Sequence, residues 1–142
     1  MELYEFFKSG RHPIYRAEML ESSLELSVNK IKLDDFTTIC HDKKGNELVF
    51  LNGQLDSIGL RIGGNYNFKI NGYELIHLSS FKYTINLLNN FEIEWWFIDK
   101  YSFQKQLCIQ TSGGVQLMFD FSDKEEMLMK IILTLEIAEN TV

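Results

Sequence analysis

A chain of 142 residues with 45% hydrophobic and 13% aromatic residues has the material for one packed core, which excludes bulk disorder and makes a single domain over 1–142 the expectation. A net charge of -6 and a pI of about 5.0 weigh against a partner held through its phosphates, since nucleic-acid binders carry a basic patch or stripe. No run of about 18 apolar residues marks a membrane span, and MELYEFFKSGRHP lacks the basic-then-apolar order of a secretory leader, so a cytoplasmic protein is expected.

The chain has one proline and is rich in Asn, Ile, Lys, Phe and Tyr, a usage that hints at an AT-rich bacterial or phage genome. Two cysteines, Cys40 and Cys108, give no disulfide framework. Free, buried thiols are expected.

In chain order, ELYEFFK places Leu3, Phe6 and Phe7 on one helical side ahead of Gly10, which predicts a short helix over about 2–9. IYRAEML is ambiguous between strand and helix. SSLELSV alternates Leu24, Leu26 and Val28 with polar residues and reads as a strand, with Asn29-Lys30 as a bulge or tight turn after it. FTTICHDKKGNELVFLNG reads as a hairpin about its DKKGN cluster. NYNFKI and YELIHL, separated by Asn71-Gly72, carry the strongest hairpin signal, because that pair favours a type I′ turn. FKYTINL and FEIEWWFI read as strands joined through Leu88-Asn89-Asn90, and QLCIQT and VQLMFDF as strands joined through Ser112-Gly113-Gly114.

The final segment, FSDKEEMLMKIILTLEIAEN, changes period. Ser122 and Glu125 form a capping-box pattern, and Leu128, Ile131, Ile132 and Leu135 recur at helical spacing. An amphipathic helix over about 123–138, packed on the sheet, is predicted.

The fold class is therefore mainly β (α+β): an antiparallel, strongly bent sheet or partly open barrel of about 7–10 short strands with a helix at each end. This order of elements resembles the pleckstrin-homology-like architecture, without any residue motif that ties the chain to that family. A lipocalin-like barrel and a β-sandwich are the alternatives.

Candidate chemistry is sparse. His12, His41 and His77 fit no metal-ligand spacing. Cys40 and His41 are adjacent in a strand and face opposite sides, so the imidazole cannot activate the thiol. Asp34-Asp35 sits in a predicted turn, and Gly63-Gly64 and Gly113-Gly114 match no phosphate loop. Phe81, Tyr83, Tyr101 and Phe103 lie near Lys82, Lys100 and Lys105, too few cations for a nucleic-acid platform. No catalytic, cofactor or metal residue is predicted, and the protein is expected not to be an enzyme.

The opening for function lies in FEIEWWFI. As a strand it puts Phe91, Ile93, Trp95 and Phe97 on a core face and Glu92, Glu94, Trp96 and Ile98 on the other. Either the C-terminal helix covers Trp96 and Ile98, or Trp96 is exposed and anchors a partner. The partner-binding candidates are Trp96, Tyr73, Tyr83, Tyr101, Glu92 and Glu94. The expectation is a non-enzymatic protein-binding module: a small bacterial or phage regulator, immunity protein or inhibitor. The alternative is a domain that binds a small apolar ligand or a lipid headgroup, for which the DKKGN turn offers two lysines. An exposed sheet edge could also be closed by a second copy in a homodimer.

Overall fold

The computed structural model describes residues 1–17, 19–23, 29–60, 68–75, 79–98, 106–121 and 127–134. Helix α1 (Tyr4–Ser9) buries Phe6 and Phe7, and Gly10 ends it at φ 75° with its N–H on the Phe6 carbonyl. Only a residue free of Cβ strain takes that left-handed cap cheaply. The start of the helix is fixed by Glu2, whose carboxylate accepts the N–H groups of Tyr4 (3.2 Å), Asn71 (2.7 Å) and Gly72 (3.2 Å).

A meander follows: β1 (Asn29–Lys32), β2 (Thr37–His41), β3 (Asn46–Leu51) and β4 (Gln54–Leu60). The hairpin β5 (Phe68–Ile70) and β6 (Tyr73–Leu75) comes next, then helix α2 (Phe81–Asn90). A second meander is formed by β7 (Trp95–Ile98), β8 (Gln106–Thr111), β9 (Val115–Asp120) and β10 (Met127–Thr134). All eight meander strands join in one antiparallel sheet of order β1-β2-β3-β4-β10-β9-β8-β7. The last strands of the two meanders meet at its centre, where Leu60 pairs with Ile131.

One face of the sheet is the core. Across it, Ile109, Leu117, Ile131 and Leu60 lie in one register row and all are buried. Leu48, Ile58 and Val115 flank this row and are buried too. Both helices close over this face. Phe81 of α2 stacks on Phe97 (6.2 Å between centroids) and meets Phe119 edge-on (5.2 Å), while Thr84, Leu87 and Leu88 are buried. Helix α1 docks its C-terminal end on the β8–β9 turn. There the Phe7 carbonyl accepts Thr111 Oγ1 (2.5 Å) and the Gly113 N–H (3.2 Å), and the Lys8 carbonyl accepts Ser112 Oγ (3.0 Å). Carbonyls that a helix end leaves orphaned are thereby satisfied.

The mainly β, antiparallel class, the N-terminal helix and the Asn71-Gly72 turn match the sequence reading. Both turn residues have positive φ (49° and 87°), as type I′ requires. Asn52 and Gly53 (52° and 79°) make the same turn between β3 and β4.

Three expectations need correction. The predicted C-terminal helix is a strand over Met127–Thr134, the centre of the sheet. MLMKIILT is a nearly unbroken apolar run, and such a run suits a strand flanked on both sides as well as it suits a helix face. A register shift between Leu128 and Lys130 absorbs one residue. The described strands form one antiparallel sheet whose outermost members are β1 and β7, and neither the pleckstrin-homology-like order nor a barrel is established by them.

Second, FKYTINL is helix α2. Ser80 accepts the Tyr83 N–H (3.0 Å) as N-cap, and Phe81, Thr84, Leu87 and Leu88 recur at helical spacing. Third, residues 91–94 are not strand: Glu92 takes φ 56°, and β7 begins only at Trp95. The predicted strand SSLELSV, apart from its first residues, and the capping pair Ser122 and Glu125 lie outside the described residues.

Candidate partner-binding site

The chain reverses between α2 and β7 in four residues, 91–94. Glu92 N–H reaches the Asn89 carbonyl (3.2 Å) and Ile93 N–H the Leu88 carbonyl (2.9 Å), while the left-handed Glu92 swings the backbone outward. Ile93 is buried and fastens the reversal to the core. Glu94 is tied to the sheet through its carbonyl, which accepts the Ser112 N–H (2.8 Å).

The result is an open cleft of about 470 Å³ lined by Asn89, Glu92, Ile93, Glu94, Trp95 and Trp96. Trp95 Nε1 donates to Asn89 Oδ1 (2.8 Å), and its ring lies edge-on to Phe81 (6.4 Å) and Phe97 (5.2 Å), which fixes it as a wall. Trp96 points to the opposite face of the sheet and is 45% exposed. Glu92 and Glu94 are exposed. Two carboxylates beside two indoles offer acceptors and π faces, a set that attracts cations. Close by on α1, Lys8 is engaged with the Tyr4 hydroxyl (2.8 Å) and ring (5.3 Å).

The structure therefore brings together Trp96, Glu92 and Glu94 from the sequence candidates and adds Trp95 and Asn89. Tyr73 is exposed and contacts Phe91 (5.8 Å), next to the cleft. Tyr83 is engaged differently: its hydroxyl donates to the Glu74 carbonyl (2.6 Å) and ties α2 to β6. Tyr101 and His77 lie outside the described residues.

Two further features were not legible as sites. At the sheet end opened by the β1–β2 turn, Phe36 (66% exposed), Leu33, Ile31, Leu20 and Leu51 leave apolar surface in solvent. Under the DKKGN turn lies a polar network. Asn46 Nδ2 donates to Asp42 Oδ2 (2.7 Å), leaving Asn46 Oδ1 to accept from His12 Nε2 (3.0 Å). His12 Nδ1 accepts the N–H groups of Ile14 (3.1 Å) and Tyr15 (3.3 Å), which makes the imidazole a neutral Nε2–H tautomer. Burial holds the His12 pKa below its ordinary value, against the Asn46 bond and the Asp42 charge.

Asp42 also accepts the Tyr15 hydroxyl (2.7 Å) and the N–H groups of Lys44 and Asn46 (2.9 Å each). Burial works to raise its pKa, but these bonds outweigh it and hold the carboxyl below the usual range. A cavity of about 310 Å³ opens beside this network, lined by Ile14, Tyr15, Asp42, Lys43 and Lys44.

Cys40 and Cys108 are both buried. Cys40 sits in a register row with the core residues Leu48 and Ile58, while Cys108 pairs with Ile98 and Met118. Among the described residues no three His, Cys, Asp or Glu converge as a metal site, and no helix is long and apolar enough to cross a membrane. Comparison with protein-family models, curated proteins and solved structures found no match.

Proposed function

We propose that this protein is a non-enzymatic protein-binding module that acts by occupying a partner's surface, in the manner of a small bacterial or phage regulator, immunity protein or inhibitor working in the cytoplasm. The observation that carries this reading is the convergence of Trp95, Trp96, Glu92 and Glu94 on one open cleft. Exposed tryptophan is a residue type enriched at interface anchors, and the two carboxylates beside it offer a partner's cation a charge to pair with.

The test is affinity capture from source cells with wild type and the Trp96→Ala variant in parallel, each read by native mass spectrometry. A polypeptide held by wild type and lost by the variant supports the reading. An adduct of a few hundred daltons held equally by both sinks it.

A specific observation favours a second reading. The cavity beside Lys43 and Lys44 pairs an apolar wall from Ile14 and Tyr15 with two cations, which suits a small ligand with an apolar body and an anionic head, such as a lipid headgroup. Loss of the adduct in Lys43→Ala/Lys44→Ala, with Trp96→Ala unaffected, would select it.

A further inference from the structure

The two edges of the eight-stranded sheet are built differently. Edge strand β1 reads Asn-Lys-Ile-Lys, with Lys30 and Lys32 on either side of Ile31 and Lys30 paired to Glu21 (3.6 Å). Lysines on an edge are the usual guard against a foreign strand, because pairing would bury their charge. Edge strand β7 reads Trp-Trp-Phe-Ile and carries no charge. Trp96 is 45% exposed on one face and Phe97 55% exposed on the other.

Among the described residues no strand pairs with the outer side of β7. In an antiparallel pair alternate residues turn their N–H and C=O groups away from the neighbour, so β7 presents a row of main-chain donors and acceptors between two aromatic side chains. The acidic cleft of Glu92 and Glu94 sits at the N-terminal end of this same strand.

We propose that β7 is a docking edge for an extended segment of a partner protein, which adds as a ninth strand and places a lysine or arginine side chain in the Glu92–Glu94 cleft. This rests on the protein-binding reading and specifies the partner's chemistry. Main-chain bonds along β7 supply the affinity, Trp96 and Phe97 cover the added strand from both faces, and the carboxylates with the indole of Trp95 select the cation. Charge complementarity picks the basic strand over other occupants. A second copy, itself at net charge -6, would bring its own Glu92 and Glu94 against the first pair.

The experiment displays random peptides about ten residues long and selects them on the full chain. The expected outcome is enrichment of peptides that alternate β-branched and polar residues and carry a lysine or arginine. Their affinity should weaken with added salt and fall about tenfold or more both in Glu92→Gln/Glu94→Gln and in Phe97→Lys, which installs on β7 the guard that β1 already has. Circular dichroism of these exposed-site variants should match wild type.

Enriched peptides without a cation, or ones indifferent to these variants, overturn the inference and leave the protein-binding reading standing on the Trp96→Ala capture. A dimeric wild type that Phe97→Lys turns into monomer assigns β7 to a second copy and overturns it as well. So does a monomer that enriches nothing.

Discussion

Gly10 and Gly113 meet backbone to backbone: a Cβ on Gly10 would stand 2.5 Å from the Gly113 carbonyl oxygen, and one on Gly113 would stand 2.7 Å from the Phe7 carbonyl oxygen. Helix α1 and the β8–β9 turn approach closely only because neither residue has a side chain. Gly113→Ala should therefore destabilise the fold by about 1 to 3 kcal/mol, by overpacking one backbone against another. Gly72→Ala is the control, since nothing lies within 4 Å of its Cβ position and only its φ of 87° is strained; that alone costs about 1 to 2 kcal/mol. Urea unfolding curves compare the two. A Gly113→Ala variant as stable as wild type would show that the helix end does not dock on the turn.

The adjacent tryptophans should separate by phenotype. Trp95 is wedged against Phe81 and Phe97 and bonded to Asn89, so Trp95→Ala should cost about 2 to 4 kcal/mol, somewhat below a fully buried tryptophan. Trp96 is 45% exposed, and Trp96→Ala should change stability by about 0.5 kcal/mol or less while weakening partner capture. Equal losses of stability would place Trp96 in the core and remove it from the interface.

Acid should weaken the fold in two steps. His12 is held neutral, with its folded pKa below the ordinary 6.5, so protons bind the unfolded chain more readily. Stability conferred by the neutral ring is full above about pH 6.5 and declines as pH falls from there toward the lower folded value. Asp42, depressed below 3.8, adds a second loss as pH falls from about 3.8 through its folded pKa. Thermal unfolding from pH 8 down to about pH 2 checks both. His12→Gln should be less stable at neutral pH by about 1 to 3 kcal/mol yet lack the first step; persistence of that step in the variant would assign it to another group.

The assignment of residues 127–134 as a central strand is tested by Ile131→Ala. Ile131 is fully buried between Leu60 and Leu117, and its truncation should cost about 2 to 5 kcal/mol. Hydrogen exchange should find its backbone among the slowest in the protein, because both sides of β10 are hydrogen-bonded to neighbours. Fast exchange there would contradict the topology.

Both cysteines should resist modification. Burial pushes the Cys108 thiol up to about 11, and both sulfurs are enclosed, so a thiol reagent at neutral pH should titrate neither until denaturant is added. Rapid reaction of either thiol in the native protein would mean that its strand opens locally.

The local signals that proved readable are those in which one residue type satisfies one geometry. Gly10 stops a helix and Asn71-Gly72 turns a hairpin, and both do so where the sequence placed them. What misled was hydrophobic periodicity in short runs. Ile131 and Ile132 satisfy helical spacing, yet they also alternate: Ile131 faces the core and Ile132 the opposite side in β10. In α2 the decisive signal was the Ser80 cap rather than the β-forming residues after it. The site was half legible. Trp96, Glu92 and Glu94 were singled out from their pattern, but the cleft that joins them depends on Glu92 leaving extended geometry at φ 56°, which alternation alone would deny.

The Leu60–Ile131 pairing also sets the order in which the chain can mature. The first meander can assemble from neighbours in sequence as it leaves the ribosome, but β4 remains an open edge until β10, some seventy residues later, has been synthesised and returned to it. Closing so long a loop costs entropy before any contact repays it, which makes the central zipper a late and slow step of folding.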